Sequence, residues 1–520
     1  MGQDISKHLT PPPLTLQDCL VDGRVDIIRY IYYKRRMDDL DESFDLLLNQ
    51  SGMKKRKLCD FAESNAIIKS KKSRTCRKNK LLIRDENGEL MELKPCHTIW
   101  YRLYVHSPPQ NERMQKLFRN RFRLPYDLFI DLVDDVSNHE LFSRWTNTDC
   151  TGSLPSNLKL LLLGSLRYIG RSWTFDDIEE ANGISREVNR KFFIAFIQYG
   201  SSIMYKKYVI DKAININNPT NEILFRMAGM NGCLGSSDAT HVIMLKCSSW
   251  ATIGHKGFKL NLPARNYNLT VTHTKQILST TTGHPATWND KTIVLFDELI
   301  CNVHNGEFYQ DNEFKLYEYD LGGNLIEVTY KGGWFMVDNG YLAWSCTVPP
   351  VKDASSYETI RFSEWLELMR KQVECTFGIM KQRFSMLRHG IRLSSIKNCD
   401  LTWITCCALH NMLLFHDGFD TNWNSTDFES SLNGVSHNNP PADSSFAMNR
   451  LNREMTGNIS TSNTRVNPQS FHKYTVDGKR VVSKMPLNLF RDCLVRHFDI
   501  RFKNNSVHWP KHMGNKPSNI

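Results

Sequence analysis

Three acidic residues stand where they could hold divalent cations. Asp238 follows Gly235, Ser236 and Ser237 and leads into THVIML, which reads as a strand; Asp338 closes the apolar run WFMV and precedes Asn339-Gly340. Both read as strand-end acids, and a carboxylate at the end of a buried strand points into a crevice rather than the core, which suits a hard cation. Glu374 follows Asp338 by 36 positions (374 − 338), room for a loop and half a helix to return over the sheet. Three carboxylates so placed could hold two Mg²⁺ ions about 4 Å apart, activating a water or 3′-hydroxyl on one side of a phosphodiester and stabilising the leaving oxygen on the other. Alone, Glu374 between Arg370 and Lys381 reads as a salt-bridged boundary residue; the two aspartates turn it into a site residue. Arg370 and Lys381 share its helix edge and would steer a DNA backbone.

The elements that must position these acids follow from periodicity. In 363–387, Leu366, Met369, Val373, Phe377, Met380, Phe384 and Leu387 recur every three or four residues, which predicts a buried helix with Ser363 as its cap. From Gly229 onward, short β-rich runs (CLGSSDATHVIML, RNYNLTVTHTKQILSTTTG, GGWFMVDNGY) alternate with turns, THTKQ among them. A second apolar helix is expected over 401–415. Strands followed by helices predict an α/β, or α+β, domain with a mixed sheet flanked by helices over 226–418. Ahead of it, 96–225 carries helical periodicity throughout. Within that region 175–181, Asn182-Gly183 and a helix capped by Ser185 have helix-turn-helix spacing, and the second helix would present Arg186, Asn189, Arg190 and Lys191 to phosphates and base edges. Such helix pairs also occur without DNA.

With 520 residues and 41% hydrophobic content there is room for several domains with real cores. No run of eighteen apolar residues predicts a membrane span and no leader pattern opens the chain, so a soluble protein is expected. The fourteen cysteines are scattered without paired CxxC ligands, which predicts reduced thiols and no zinc site. The net charge of +11 is concentrated: 54–80 holds eleven Lys or Arg against Asp60 and Glu63, a net +9 that leaves +2 for the rest. This arm reads as a bipartite nuclear localisation signal, a phosphate-binding arm, or both. It belongs to a weakly ordered region, 1–95, with one candidate helix at 25–48. The Asn/Ser-rich stretch 419–470 reads as a linker, and 471–520 as a tail with one helix.

Six motifs in order carry a family resemblance: S-D-A-T-H (237–241), R-N-Y-N-L-T-V (265–271), G-H-P-A-T-W-N-D-K (283–291), V-D-N-G-Y (337–341), V-E-C-T-F-G-I-M-K-Q-R-F (373–384) and A-L-H-N (408–411). The stretch from about 99 to 415 resembles PIF/Harbinger DDE transposases, although Ala239 and Ala286 stand where the family commonly has glycine. The resemblance implies an RNase H-like catalytic fold whose D, D and E are Asp238, Asp338 and Glu374. It also implies cut-and-paste transposition with Mg²⁺ or Mn²⁺ on double-stranded DNA, at terminal inverted repeats and a target site; the nucleus is the location expected from the basic arm. A helix-turn-helix domain, a separate Myb-like partner and a homo-oligomer on DNA come with the resemblance. Asp290 offers a rival triad with Asp338 and Glu374, but WNDKTIVLFDELI reads as a helix start, with Asp290 as its cap or facing DNA. His241 is a possible base, more simply a structural histidine beside the site. Trp288, Trp334 and Trp344 read as core. Two other readings stay open: a transposase-derived host protein that binds DNA without cutting, and a cellular RNase H-like nuclease.

Overall fold

The computed structural model describes residues 20–21, 24–25, 81–84, 87–148, 155–214, 219–247, 252, 254–257, 262–419 and 474–508. The chain divides into two units, 1–79 and 80–520. In the first, only a pair of two-residue strands (Leu20–Val21 and Arg24–Val25) is described; the expected helix at 25–48 and the basic arm at 54–80 lie outside the described residues, as does nearly all of the 419–470 linker. The described residues of the second unit reach into the stretch ahead of 96. Leu82–Arg84 pairs antiparallel with Leu90–Glu92 across a turn at Asn87-Gly88, where Gly88 takes φ +82°, a conformation that favours glycine.

The helical part opens with α1 (Glu112–Phe122), α2 (Tyr126–Ser137), α3 (Leu158–Arg171), α4 (Phe175–Asn182) and α5 (Arg186–Tyr199). The α4–α5 pair forms where expected: Thr174 and Asp177 make a capping box, and Gly183 (φ +70°) turns the chain. Two π-helical turns, Gly200–Met204 and Lys206–Ile210, prolong α5. Gly200 lets that rod touch α8 (Ile396–His416), because a Cβ there would lie 2.4 Å from the Thr405 methyl.

The central sheet contains β1 (Cys233–Ile243), β2 (Ala264–Val271), β3 (Ile277–Thr280), β6 (Trp334–Met336) and β7 (Thr347–Val348), in the order β7-β6-β1-β2-β3. β1, β2 and β3 are antiparallel neighbours, whereas β6 runs parallel to both β1 and β7. The mixed sheet expected from the sequence is therefore present, with the β2–β3 turn at Thr272 to Gln276. Between β3 and β6 the chain makes α6 (Glu298–Asn305) and a hairpin of β4 (Glu313–Tyr319) and β5 (Leu325–Lys331).

The long helix α7 spans Tyr357–Arg383, starting six residues ahead of the expected cap. Ser356 is the cap, its hydroxyl accepting from the Thr359 amide, while Ser363 donates back to the Thr359 carbonyl inside the helix. All seven residues of the expected apolar stripe are buried. Phe384 interrupts the helix, and the chain continues in the short helix Ser385–His389.

The C-terminal segment is part of this core rather than a tail. β8 (Thr475–Val476) and β9 (Lys479–Val481) extend the β4–β5 hairpin into a four-stranded sheet, with β9 parallel to β5, and Arg480 pairs with the Glu318 carboxylate at 2.8 Å. α9 (Leu487–Lys503) then packs on α7: the Phe498 ring lies 5.8 Å from Phe362 and 5.5 Å from Trp365. One apolar cluster accordingly holds Trp334, Trp365, Phe490 and Phe498 together. Phe498→Ala is expected to lower stability by about 3–5 kcal/mol, the usual cost of emptying a buried aromatic site, and deletion of 471–520 to lower the urea midpoint further. A deletion that leaves the midpoint unchanged would return this segment to the status of a tail.

Candidate active site

Asp238 is the sixth of eleven residues in β1, not its first. The small residues before it are strand residues, because a side chain on Gly235 would lie 2.4 Å from the Val271 carbonyl of β2. Asp238 is nonetheless uncovered on one side. β6 stops at Met336, opposite Ser236, so Asp338, two residues further along β6's direction, comes level with Asp238. Each aspartate is held by local backbone: Asp238 Oδ1 accepts from the Ala239 amide at 2.8 Å and Asp338 Oδ1 from the Gly340 amide at 2.7 Å. A fourth acid meets them here. A side chain on Gly340 would lie 2.8 Å from Asp338 Oδ1 and 2.9 Å from Asp290 Oδ2, so the turn has glycine where two carboxylates converge. Asp290 is not a helix cap, since Asn289 accepts from the Thr292 amide in that role.

α7 supplies the remaining acid and the cation that gathers the group. Arg370 Nη1 donates to Asp238 Oδ2 and Nη2 to Glu374 Oε1, both at 2.9 Å. The Arg370 side chain is 11% exposed, against 48% for Glu374, so the Asp238 arm carries most of the energy and the Glu374 arm is screened. Arg370 is thus a buried bridge between carboxylates and not the surface contact for DNA expected from its place on the helix edge. Burial pushes the Asp238 carboxyl up to about 6; Arg370 pulls it down, and Asp338 and Glu374 push it up again. Burial pulls the Arg370 guanidinium down, but the acids outweigh it and hold it above its ordinary value.

Oxygen-only donors fit a hard divalent cation. Among the described residues, however, no group of three His, Cys, Asp or Glu side chains closes around a single point. The expected trio shares one neighbourhood, but a guanidinium stands between two of its members. Further along the face, Lys381 donates to the Thr240 hydroxyl at 3.0 Å and burial lowers its ammonium. Thr240 lies two residues from Asp238 and so on its side of the sheet, whereas His241, three residues away, faces the other side.

That other side holds a buried polar network which local sequence reasoning missed. Asn268 donates to Asp297 (2.7 Å) and Ser237 (2.9 Å), Ser279 donates to Asp297 (2.9 Å), and the Tyr341 hydroxyl donates to Asn268 (2.5 Å). Asp297 is fully buried and also caps α6 through the Leu299 and Ile300 amides. Burial raises its carboxyl, and Asn268 and the Ile300 amide oppose that rise. The network ties the Asp338 turn, through Tyr341, to the strand that carries Asp238. Its one sequence signal is an acid ahead of the apolar run ELI, the pattern of a helix cap. Of the tryptophans, Trp334 is core, while Trp288 stacks on His284 and Trp344 on His304.

The α4–α5 pair separates its expected contacts. Asn189 is buried, donating to the Ile184 carbonyl (2.7 Å) and accepting from Asn182 (2.8 Å), so it holds the two helices together and cannot read a base. Arg186 pairs with Asp176, and Arg190 and Lys191 with Glu187, all at the surface. Exposed pairs of this kind are weak and exchange readily for phosphate.

Residues 238–411 match the sequence model of the DDE superfamily endonuclease family, and the match begins at Asp238. The Xenopus laevis candidate nuclease HARBI1 is 28% identical over 111 residues, 21% of this chain and 31% of that protein; the match thus spans under a third of the relative. No solved structure matches. The resemblance to Harbinger-type DDE proteins is borne out, and a DDE endonuclease domain implies an RNase H-like fold and divalent metal ions.

Arg370→Ala would leave Asp238 and its acidic neighbours without their shared cation. The expected cost is about 3–5 kcal/mol, that of breaking a buried pair, and millimolar Mg²⁺ should recover more stability in the variant than in the wild type. Equal urea midpoints for the two proteins, or an equal response to Mg²⁺, would remove Arg370 from this role.

Proposed function

We propose, on the premise that residues 238–411 carry a Harbinger-type DDE endonuclease domain, that the protein is a DNA-cutting enzyme derived from, or acting as, a transposase. The observation that carries this reading is the meeting of Asp238, Asp338 and Glu374 beside the central strand β1, just past the end of β6, with Arg370 spanning two of them. Asp238, Asp338 and Glu374 would hold Mg²⁺ or Mn²⁺, as two ions. Divalent ions there would supply the Lewis acidity that activates a water or 3′-hydroxyl and stabilises the leaving oxygen.

The chain's own groups would do the rest. The Ala239 and Gly340 amides hold Asp238 and Asp338 in fixed orientations. Lys381, beside Thr240, would hold a backbone phosphate next to the carboxylates. Arg186, Arg190 and Lys191 would exchange their surface acids for phosphates of the same duplex. In this reading the substrates are terminal inverted repeats and a target site, cut and joined in the nucleus by several copies of the chain with a Myb-like partner. The basic arm at 54–80 would serve nuclear import, DNA binding, or both.

One observation favours a second reading, a DNA-binding protein without cleavage: Arg370 already supplies positive charge between Asp238 and Glu374. Supercoiled plasmid incubated with full-length protein tests both. Cleavage is expected with Mg²⁺ or Mn²⁺ and not with EDTA, and Asp238→Asn or Glu374→Gln should reduce it at least a hundredfold, about 2.7 kcal/mol of barrier. Cleavage that survives both substitutions sinks the assignment, and survival in Asp238→Asn with loss in Asp290→Asn moves it to the rival triad. Plasmid binding with no cleavage by the wild type supports the second reading.

A further inference from the structure

One accumulation of positive charge that the carboxylate site does not explain lies where α1 and α3 end side by side. Arg167 Nη1 donates to the Arg121 carbonyl (2.9 Å), Arg171 Nη2 to the Asn120 carbonyl (3.0 Å), and Arg392 Nη1 to the Ser172 carbonyl (3.2 Å). Arg121 Nη1 donates to the Tyr104 hydroxyl (2.9 Å), and the Arg167 guanidinium sits 4.0 Å over the Trp173 ring. Arg123 completes the group, packed so closely on α3 that a Cβ on Gly170 would lie 2.8 Å from its Cγ.

Cations at helix C-termini are ordinary, since each terminus carries roughly half a negative charge. Two termini therefore offset about one of five guanidinium charges, leaving a surplus of about four. Among the described residues none of the five forms an ion pair with a carboxylate. Arg123 Nε and Nη1 and Arg167 Nε are buried without hydrogen-bond partners. Burial, with Arg171 adding to it, pulls both Arg123 and Arg167 down to about 10. Capping two helices needs no such crowd. Planar guanidinium forks match the oxygens of a phosphate, which would neutralise the surplus from the solvent side, where Arg171 is exposed and the other four are half-buried.

The location favours a duplex over a free anion. β1 carries Asp238, and just past its end Met244 bridges Ile391, the residue before Arg392. Six residues of strand, about 20 Å, separate Asp238 from Met244, a length covered by about six base pairs at 3.4 Å per step. We propose that Arg121, Arg123, Arg167, Arg171 and Arg392 form a clamp for backbone phosphates of double-stranded DNA, separate from the first turn of α5. This rests on the reading of the protein as one that acts on DNA.

The test is fluorescence anisotropy of a 30-base-pair duplex with the full-length chain across a salt series. Arg171→Gln and Arg392→Gln, chosen because neither side chain is fully buried, should each weaken binding about three- to tenfold without changing the melting temperature. Together they should reduce the slope of log K against log salt by about two, near 0.9 for each phosphate no longer neutralised. Arg171→Lys, which keeps the charge, should retain the wild-type slope. An unchanged slope in the double variant overturns the clamp alone. No duplex binding by the wild type at low salt overturns the DNA reading and the clamp with it. Inorganic phosphate that raises the melting temperature of the wild type but not of the double variant, with duplex binding equal in the two, assigns the cluster to the free anion and also overturns the clamp.

Discussion

The carboxylate site depends on one guanidinium. Arg370 joins residues 132 positions apart in the chain, Asp238 in the sheet and itself in α7, and in the same gesture holds Glu374 one helical turn away. Four acids gathered past the end of β6 repel one another, and their desolvation is unfavourable unless positive charge is close by. Arg370 supplies that charge from inside the fold, so the acids can be gathered when no metal is bound. Among the described residues its Nε has no partner, and both bonds to the acids come from its two terminal nitrogens. Such an arrangement stabilises the site and competes with any cation that enters it.

A bridge of this kind needs a rigid helix behind it, and α7 is anchored from two directions. At its first half, Phe362 and Trp365 pack against Phe498 of the C-terminal segment. At its second half, Val373, Phe377 and Met380 enter the same core as the helical part and α8. Glu374 lies between these anchors on the open side. Segments on either side of the 226–418 domain in sequence therefore fix where its third carboxylate stands. The opposite face of the sheet is fixed by different means: Asp297, Asn268, Ser237 and Tyr341 form hydrogen bonds in a buried setting, where each broken bond would leave a buried polar group unsatisfied.

Much of this was legible from residue order alone. Alternation and turn residues marked β1, β2 and β6, the three-four spacing marked α7, and acids at the borders of those runs marked Asp238, Asp338 and Glu374. What failed did so for identifiable reasons. Gly235, Ser236 and Ser237 are small polar or flexible residues with no strand signal of their own, but all three lie in β1, and Gly235 is pressed onto the Val271 carbonyl, which leaves no room for a side chain. Asn189 has the chemistry of a base reader, yet Asn182 seven residues earlier pairs with it across the helix turn. Arg370 has the spacing of a surface ion pair with Glu374, and only the fold brings Asp238 to its other side. The C-terminal segment could not be placed because its partners, Trp334 and Trp365, lie more than a hundred residues away and no local period encodes a distant contact.

The same contrast separates two kinds of arginine in this chain. Arg370, like Arg265 with Asp400 and Arg480 with Glu318, is buried or half-buried with a carboxylate to answer it. Arg121, Arg123, Arg167, Arg171 and Arg392 are gathered with no carboxylate partner among the described residues, and the acceptors of Arg121, Arg167, Arg171 and Arg392 there are carbonyl and hydroxyl oxygens. A carbonyl satisfies a hydrogen bond but offsets little of a full charge. The protein could have neutralised this group as it neutralised the others, by one acid on α1 or α3, and that would have stabilised the fold. Leaving the charge standing makes sense where the counter-charge arrives from outside, and a nucleic acid backbone brings one at every step.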